Sequence, residues 1–326
     1  MIFSAKGKRF MCNFAPRKQN VQIMQSKKYH LGLDVGGTNL VAGVIDEQFQ
    51  IVTKCSRPAG AGRSIEEITA DMAAVSSEAV EQAGLTMDDI SGWGIGMPSC
   101  VNQKTNLLVH ANCFGWKNVL IYDFLEPLLP LPVKIDNDAN CAAYGEALAG
   151  AAKGYDNVLM LTLGTGVGGG IIIDKKIYKG ADGMGAELGH TKLVYNGELC
   201  TCGQRGCLEA YCSATALIRH AKDATGKDMD AKMVFDGARS GDSQCQALVD
   251  DYIAHLAAGI SSFITIFRPD VFILGGGVAN AGDTLFRPLN EQLKDCTFGA
   301  AEIGLPPVIP ATLGNDAGLI GAAFLI

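Results

Sequence analysis

The sequence predicts an α/β protein built from two related lobes, and three observations predict it. The chain has 326 residues, about twice the ~150 that a single domain takes. A strand–turn–strand segment at 31–46 recurs at 159–174, offset by 128 positions, with Leu31/Leu159, Leu33/Leu161, Gly36/Gly164, Ile45/Ile173 and Asp46/Asp174 identical. Around these segments, buried-type apolar runs alternate with stretches of helical spacing, as α/β folds require. The shared pattern carries more weight than the five identities, and two related domains are the economical reading.

The elements follow in order. Leu31–Val35 is a strand, Gly36-Gly37-Thr38 a turn and Leu40–Ile45 a second strand. Ser64 and Glu67 form a capping box, and Ile65, Ile68, Met72, Val75 and Ala79 continue at helical spacing until Gly84. Trp93–Met97 is a strand stopped by Pro98, and Val133–Ile135 a short one after Pro127, Pro130 and Pro132. Asp138 is placed as the N-cap of an Ala-rich helix, Ala139–Gly150. The pattern restarts with strands Leu159–Leu163 and Gly170–Asp174 around the turn Gly164-Thr165-Gly166. Leu248, Tyr252, Leu256, Ile260 and Phe263 mark a helix ended at Pro269; Val271–Leu274 is a strand, and a closing helix runs from Asn315.

Composition narrows the function classes. Hydrophobic residues make up 48% and charged residues 19%, which is globular and not disordered. No apolar run approaches the ~18 residues of a membrane span. A net charge of −7 speaks against nucleic acid as a bulk partner. Lys6, Lys8, Arg9, Arg17, Lys18, Lys27 and Lys28 crowd the first 28 residues, which hold no acid. That segment lacks the apolar stretch of a secretory signal; it is expected to be a disordered leader, with Met24 an alternative start. Eleven cysteines, an odd number without an export signal, point to reduced thiols and the cytoplasm.

Gly164-Thr-Gly-Val-Gly-Gly169 fits G-x-G-x-x-G, but the β-branched Ile171-Ile-Ile173 follows where a dinucleotide site needs a helix. There is no P-loop motif either. The two glycine turns instead make anion nests, where phosphate approaches without meeting a Cβ. Asp34, on the strand before the first nest, is a candidate for Mg²⁺ bound to phosphates. Asp136-Asn-Asp-Ala-Asn140 lies between a buried strand and a helix, where an ionised carboxylate is favoured and suits a base taking a proton from a hydroxyl. His190 with Cys200, Cys202 and Cys207 supplies four soft or borderline ligands, the count for a closed, structural zinc site.

These motifs together resemble the ROK family of sugar kinases, its bacterial glucokinase branch most of all, from about Lys28 to Ile326. They are Asp34-Val-Gly-Gly-Thr38, Asp136–Asn140, Leu163–Gly170, Glu187-Leu-Gly-His190, Cys200-Thr-Cys-Gly-Gln-Arg-Gly-Cys-Leu-Glu209 and Gly275-Gly-Gly-Val278. The resemblance implies the actin-like ATPase fold: two ribonuclease-H-like lobes closing on a cleft, a small lobe of 29–134 closed by a C-terminal helix at 315–326, and a large lobe of 135–314. It implies Asp138 as catalytic base, Asn137 as its sugar-binding neighbour, and Glu187, His190 and Glu209 as holders of sugar hydroxyls. His190, Cys200, Cys202 and Cys207 match zinc ligands. Gly32, Leu33, Asp34, Val35, Gly36, Gly37, Thr38 and Asn39, with Gly164, Thr165, Gly166, Val167, Gly168, Gly169, Gly170 and Ile171, match the ATP phosphate segments. The turn holding Gly276 and Gly277 lies where adenosine packs.

The implied activity is ATP- and Mg²⁺-dependent phosphorylation of a hexose, D-glucose first. Fructose, N-acetylmannosamine, N-acetylglucosamine and allose are the rival substrates. Family members are usually dimers or tetramers. Some are sugar-responsive repressors, but those carry an N-terminal helix-turn-helix domain that 28 irregular residues cannot hold. In one place the chain departs from the glucokinase pattern: Pro98-Ser99, followed by Cys100, stands where Pro-Gly is common.

Overall fold

The repeat in the sequence folds as two sheets of one topology. The computed structural model describes residues 28–60 and 62–326; the leader expected over 1–28, with Met24, lies outside them except for Lys28. The first half comprises β1 (Tyr29–Val35), β2 (Asn39–Asp46), β3 (Ile51–Pro58), α1 (Ile65–Gln82), β4 (Ile90–Met97), a small sheet of β5 (Cys100–Asn102), β6 (Leu107–Ala111) and β7 (Trp116–Val119), then α2 (Ile121–Leu125) and β8 (Val133–Asn137). The second comprises α3 (Asp138–Ala149), β9 (Val158–Leu163), β10 (Val167–Ile173), β11 (Lys176–Ile177), α4 (Glu209–Cys212), α5 (Ala214–Thr225), α6 (Ala231–Arg239), α7 (Ser243–Phe267), β12 (Val271–Gly275), α8 (Asp283–Cys296), α9 (Ala300–Ile303), β13 (Val308–Pro310) and α10 (Asp316–Ala323).

The sheet orders are β3-β2-β1-β4-β8 and β11-β10-β9-β12-β13. In each, three antiparallel strands are followed by two parallel ones. This is the ribonuclease-H-like order, twice. The expected offset holds at the strand ends: Val35 closes β1 as Leu163 closes β9, and Asn39 opens β2 as Val167 opens β10.

Local chemistry sets the element limits. Ser64 Oγ accepts from the Glu67 N–H while the Glu67 carboxylate accepts from the Ser64 N–H, so the expected capping box is present. Helix α7 begins at Asp242, whose carboxylate accepts from the N–H groups of Gln244 and Cys245, and it ends at Arg268 in the left-handed region before Pro269. By length and composition α7 is apolar enough to cross a membrane, but over half of that stretch is buried within the large-lobe core.

Three expectations are corrected. Asp138 is not the N-cap of α3: Asn137 is, accepting from Ala139 N–H at 2.8 Å and Asn140 N–H at 3.3 Å, and Asp138 is the first helical residue. The second strand of the large lobe starts at Val167, three residues before Gly170. Its glycines lie within the strand, because a Cβ on Gly169 would come within 2.6 Å of Leu188 and one on Gly170 within 2.4 Å of Ala143. Finally, a lobe boundary after residue 134 would cut β8, whose pairing with β4 continues to Asn137.

Two helices are exchanged across the middle of the molecule. Helix α3, which leaves the first sheet, packs on β9 and β10 of the second; α10, which leaves the second, packs on β1, β2 and β4 of the first. They also pack on each other, through glycine: a Cβ on Gly145 would lie 2.1 Å from Ala317 O, and one on Gly321 only 1.8 Å from Cys141 O. The buried Glu146 carboxylate adds a tie, accepting from the N–H groups of Thr312 at 3.0 Å and Leu313 at 2.8 Å. A buried carboxylate that accepts several N–H bonds is well satisfied.

Candidate active site

A cavity of about 710 Å³ separates the lobes. From the small lobe it is lined by Gly36, Gly37, Pro98, Ser99, Cys100, His110 and Cys113; from the large lobe by Gly164 to Gly168, Glu187, His190 and Glu209; and from the junction by Asn137 and Asp138. A second cavity of about 380 Å³ shares Asp138, Ala139, Thr162 and Gly276 with it and adds Asp34, Gly277, Asn280 and Gly318. A third, of about 320 Å³, shares Gly277 and Asn280 with the second and is walled by Lys232, Phe235, Asp236 and Arg239 of α6. The three form a trough, and Asp138 stands where the first meets the second.

The β8–α3 corner is built tightly. Asp136 is buried, accepts from Asn137 N–H and Asn140 Nδ2 at 2.8 and 2.9 Å, and is paired with Lys179. Asn137 caps α3 with its oxygen and donates from Nδ2 to Ser99 O at 3.4 Å. Asp138 accepts from Ala139 N–H at 2.9 Å. Burial raises the Asp138 pKa above the usual carboxylate range; hydrogen bonds from N–H groups at the helix start oppose this, and the charge of Glu187 adds to it. Asp34 is pushed up to about 6, by burial first and by Asp138 second. Both carboxylates line the second cavity, and raised carboxylates in a cleft are candidates for proton transfer.

The two glycine turns flank this corner. Gly36 N–H donates to Asn39 O at 2.8 Å in one, and Gly164 N–H to Gly166 O at 3.0 Å in the other. Gly276, with φ +82°, lies over the Leu163 backbone, where a side chain would collide at 2.5 Å. Of the expected phosphate-segment residues, Asp34, Gly36, Gly37 and Gly164 to Gly168 line the trough, with Gly276 and Gly277. Leu33, Val35 and Ile171 send side chains into the cores, which leaves only main chain there for a ligand. Gly32 is taken up by packing, since a Cβ would meet Leu319 O of α10 at 2.4 Å, while Thr38 and Asn39 are exposed.

Glu187 and His190 lie three apart on a 3₁₀ turn, a spacing that stacks them on one face. Glu209 is buried at the start of α4, accepting from Val167 N–H at 3.0 Å and from the Thr201 hydroxyl. The four expected metal ligands meet: the donor atoms of His190, Cys200, Cys202 and Cys207 all lie within 4.8 Å of one another. Cys202 and Cys207 sulfurs are 3.7 Å apart, and His190 Nδ1 is 3.7 Å from Cys200 Sγ. A tetrahedron with Zn–S of ~2.3 Å has edges of about 3.8 Å, so the donor set fits the ion. Use of Nδ1 leaves His190 Nε2 for the cavity, and the Lys192 ammonium lies 3.4 Å from Cys207 Sγ.

The loop Pro98-Ser99-Cys100, which the sequence singled out for its departure from the glucokinase pattern, lines the cavity. Sequence reasoning missed His110 and Cys113 as lining residues, and the whole α6 wall. The first two follow a proline-stopped strand in a stretch with little periodicity. The α6 wall faces the glycine turn only through folding of the second lobe.

Two such lobes, with a cleft crossed by exchanged helices, define the actin-like ATPase fold. A model of the ROK family matches residues 30–326. The glucokinase of Streptomyces coelicolor is 37% identical over 90% of this chain and 96% of that enzyme. Among solved structures, the ROK hexokinase of Thermus thermophilus is similar with a TM-score of 0.82 and 34% identity, covering 90% of this chain and 96% of that one. A ROK glucokinase of Streptomyces griseus, solved with glucose and AMPPNP, has a TM-score of 0.76 at 34% identity, covering 91% and 98%. An N-acetyl-D-glucosamine kinase and xylose repressors are also relatives. The chain belongs to the ROK family.

Proposed function

We propose that the chain is an ATP:hexose 6-phosphotransferase that acts on D-glucose. The observation that carries this reading is the position of Asp138, on the seam that the interlobe cavity shares with the cavity beside Gly275, Gly276 and Gly277. A sugar in the first would present its 6-hydroxyl to the Asp138 carboxylate, with Asn137, Glu187, His190 and Glu209 taking the other hydroxyls. ATP would place adenosine in the third cavity, between Gly276-Gly277 and α6, and run through the second, so that its phosphates reach past Asp138 to the turns at 36–38 and 164–166 on the wall of the first. Asp34 would help to hold Mg²⁺, which would offset charge on the transferring group.

Asp138 accepts the hydroxyl proton as that oxygen attacks phosphorus in line. Its raised pKa brings a carboxylate closer to the working pH, which favours a general base. His190, Cys200, Cys202 and Cys207 would hold a structural zinc, since four protein ligands leave no open position. Its service is to fix the loop that carries Glu187 and Glu209. Cysteine usage supports a cytoplasmic enzyme, and a homodimer or homotetramer is the expected assembly.

The test is ADP release, coupled to an optical readout, over glucose, fructose, mannose, allose and the N-acetylhexosamines. Glucose is expected to give the highest kcat/KM. A tenfold preference for another sugar would move the assignment to a different ROK kinase. Turnover of none, with sugar-dependent DNA binding, would favour the repressor branch.

A further inference from the structure

The strap at 178–186, between β11 and the 3₁₀ turn after Glu187, belongs to the large lobe but docks on the small one. Its main chain is fixed first. Gly185 N–H donates to Lys179 O at 2.9 Å, and Asp182 O accepts from Gln103 N–H, in the β5–β6 turn, at 2.7 Å. Gly183 lies so close to that turn that a Cβ would come within 2.2 Å of the Gln103 side chain. From this strap the Lys179 ammonium reaches Asp136, on β8 of the first sheet.

That ammonium meets a buried charge. Asp136 is 2% exposed. Its Oδ1 accepts from Asn137 N–H and Asn140 Nδ2, and among the described residues its Oδ2 has no donor other than Lys179. The two groups held by Oδ1 stand on either side of Asp138, Asn137 as the cap of α3 and Asn140 within its first turn. Among the described residues no lysine or arginine lines either cavity around Asp138. Burial first, then the charges of Asp136, Asp138 and Asp34, push up the thiol of Cys141 on α3, and Lys179 opposes them. A buried carboxylate that loses its partner is strongly unfavourable.

We propose that Lys179 is a positioning residue for phosphoryl transfer, which acts through Asp136 to fix the β8–α3 corner on which Asp138 stands. This rests on the kinase reading above. With Lys179 uncharged, the Asp136 carboxylate turns toward water or takes up a proton, and its hold on Asn137 and Asn140 loosens with it. A base moved by ~1 Å can lose about a hundredfold in rate. The strap itself stays docked, because its bonds to Gln103 and within the turn are made by main chain. Glu187, which follows the strap, therefore keeps its place, and the effect falls on kcat more than on KM.

Lys179→Met keeps the length of the side chain without its charge. Its kcat on glucose, per folded molecule, is expected to fall about 10–100-fold with KM within about threefold. Lys179→Arg keeps the cation and should recover most of that loss. Adding Asp136→Asn to Lys179→Met removes the second charge but leaves an oxygen for the Asn137 and Asn140 donors. Replacing both partners of a buried pair relieves the penalty that breaking it creates, so the double variant should turn over faster and melt higher than Lys179→Met. A Lys179→Met protein with wild-type kcat would overturn the proposal, even if it melts lower. So would Lys179→Arg no faster than Lys179→Met, or a double variant no faster. Where Lys179→Met does not fold, the double variant decides: folded protein with at least about a tenth of wild-type kcat supports the pair, and anything less overturns it. Wild-type protein that phosphorylates no hexose would overturn the kinase reading itself, which separates the two failures.

Discussion

Asp138 is the residue on which the proposed chemistry depends, and its surroundings state what its loss should do. Asp138→Asn keeps the shape and the hydrogen bond from Ala139 N–H but cannot take a proton. The expected outcome is a kcat lower by about 10²–10⁴ with glucose binding, measured by titration calorimetry, nearly unchanged. Near-normal turnover would remove Asp138 from the mechanism. The pH dependence has a definite sign: the carboxylate must be ionised to act, and burial and Glu187 raise its pKa, so kcat should fall as pH falls through that raised value. Asp34 makes a companion case. Its pKa is about 6 against 3.8 in the unfolded chain, so its contribution to folding is fully present below 3.8 and is lost as pH rises through 6. Asp34→Asn should therefore melt higher than wild type at pH 8, a gain that vanishes below 3.8, while MgATP-dependent turnover weakens. A variant that melts lower at pH 8 would contradict the assignment of burial as the dominant cause.

At the scale of elements, the loop from Glu187 to Glu209 is where the proposed zinc would act. Purified protein is expected to hold about one zinc per chain by elemental analysis, because the four donor atoms already lie within 4.8 Å of one another. Binding of such an ion is coupled to folding of its loop, and Glu187 and Glu209, the proposed holders of sugar hydroxyls, flank the ligands. Cys202→Ala should lose the zinc and bind glucose poorly, yet still bind a non-hydrolysable ATP analogue, since the nucleotide turns lie on β1–β2 and β9–β10. A metal-free wild type with full activity would sink the idea. This loop was legible in the sequence because Cys and His at close spacing have few other uses. So were the two hairpins, whose apolar strands and glycine turns are local signals. The small sheet β5–β7 and the α6 wall were not: the former has short strands without clear alternation, and the latter gains its role only by meeting Gly277 and Asn280 after folding. The N-cap of α3 was misplaced by one residue because Asn137 and Asp138 are both good caps, and only the backbone turn at Asn137 decides between them.

The whole molecule is two lobes that cannot come apart cleanly. Helix α3 leaves one sheet and covers the other, α10 does the reverse, and the two meet backbone to backbone at Gly145 and Gly321. Melting either lobe alone would strip the cover from a sheet of the other and expose Glu146 of α3, which is buried against Thr312 and Leu313 just before α10. Unfolding should therefore be a single cooperative step in spite of the two cores. The chain provides its own reporter: both tryptophans, Trp93 and Trp116, lie in the small-lobe core, so their fluorescence follows that lobe, while far-UV circular dichroism follows the helices, most of which are in the large lobe. In urea the two transitions are expected to coincide in midpoint and slope. Gly321→Ala, which places a Cβ 1.8 Å from Cys141 O, should lower both midpoints together, by an amount equivalent to about 1–3 kcal/mol. A fluorescence transition that precedes the loss of helix, in either protein, would show that the exchanged helices do not bind the lobes into one folding unit.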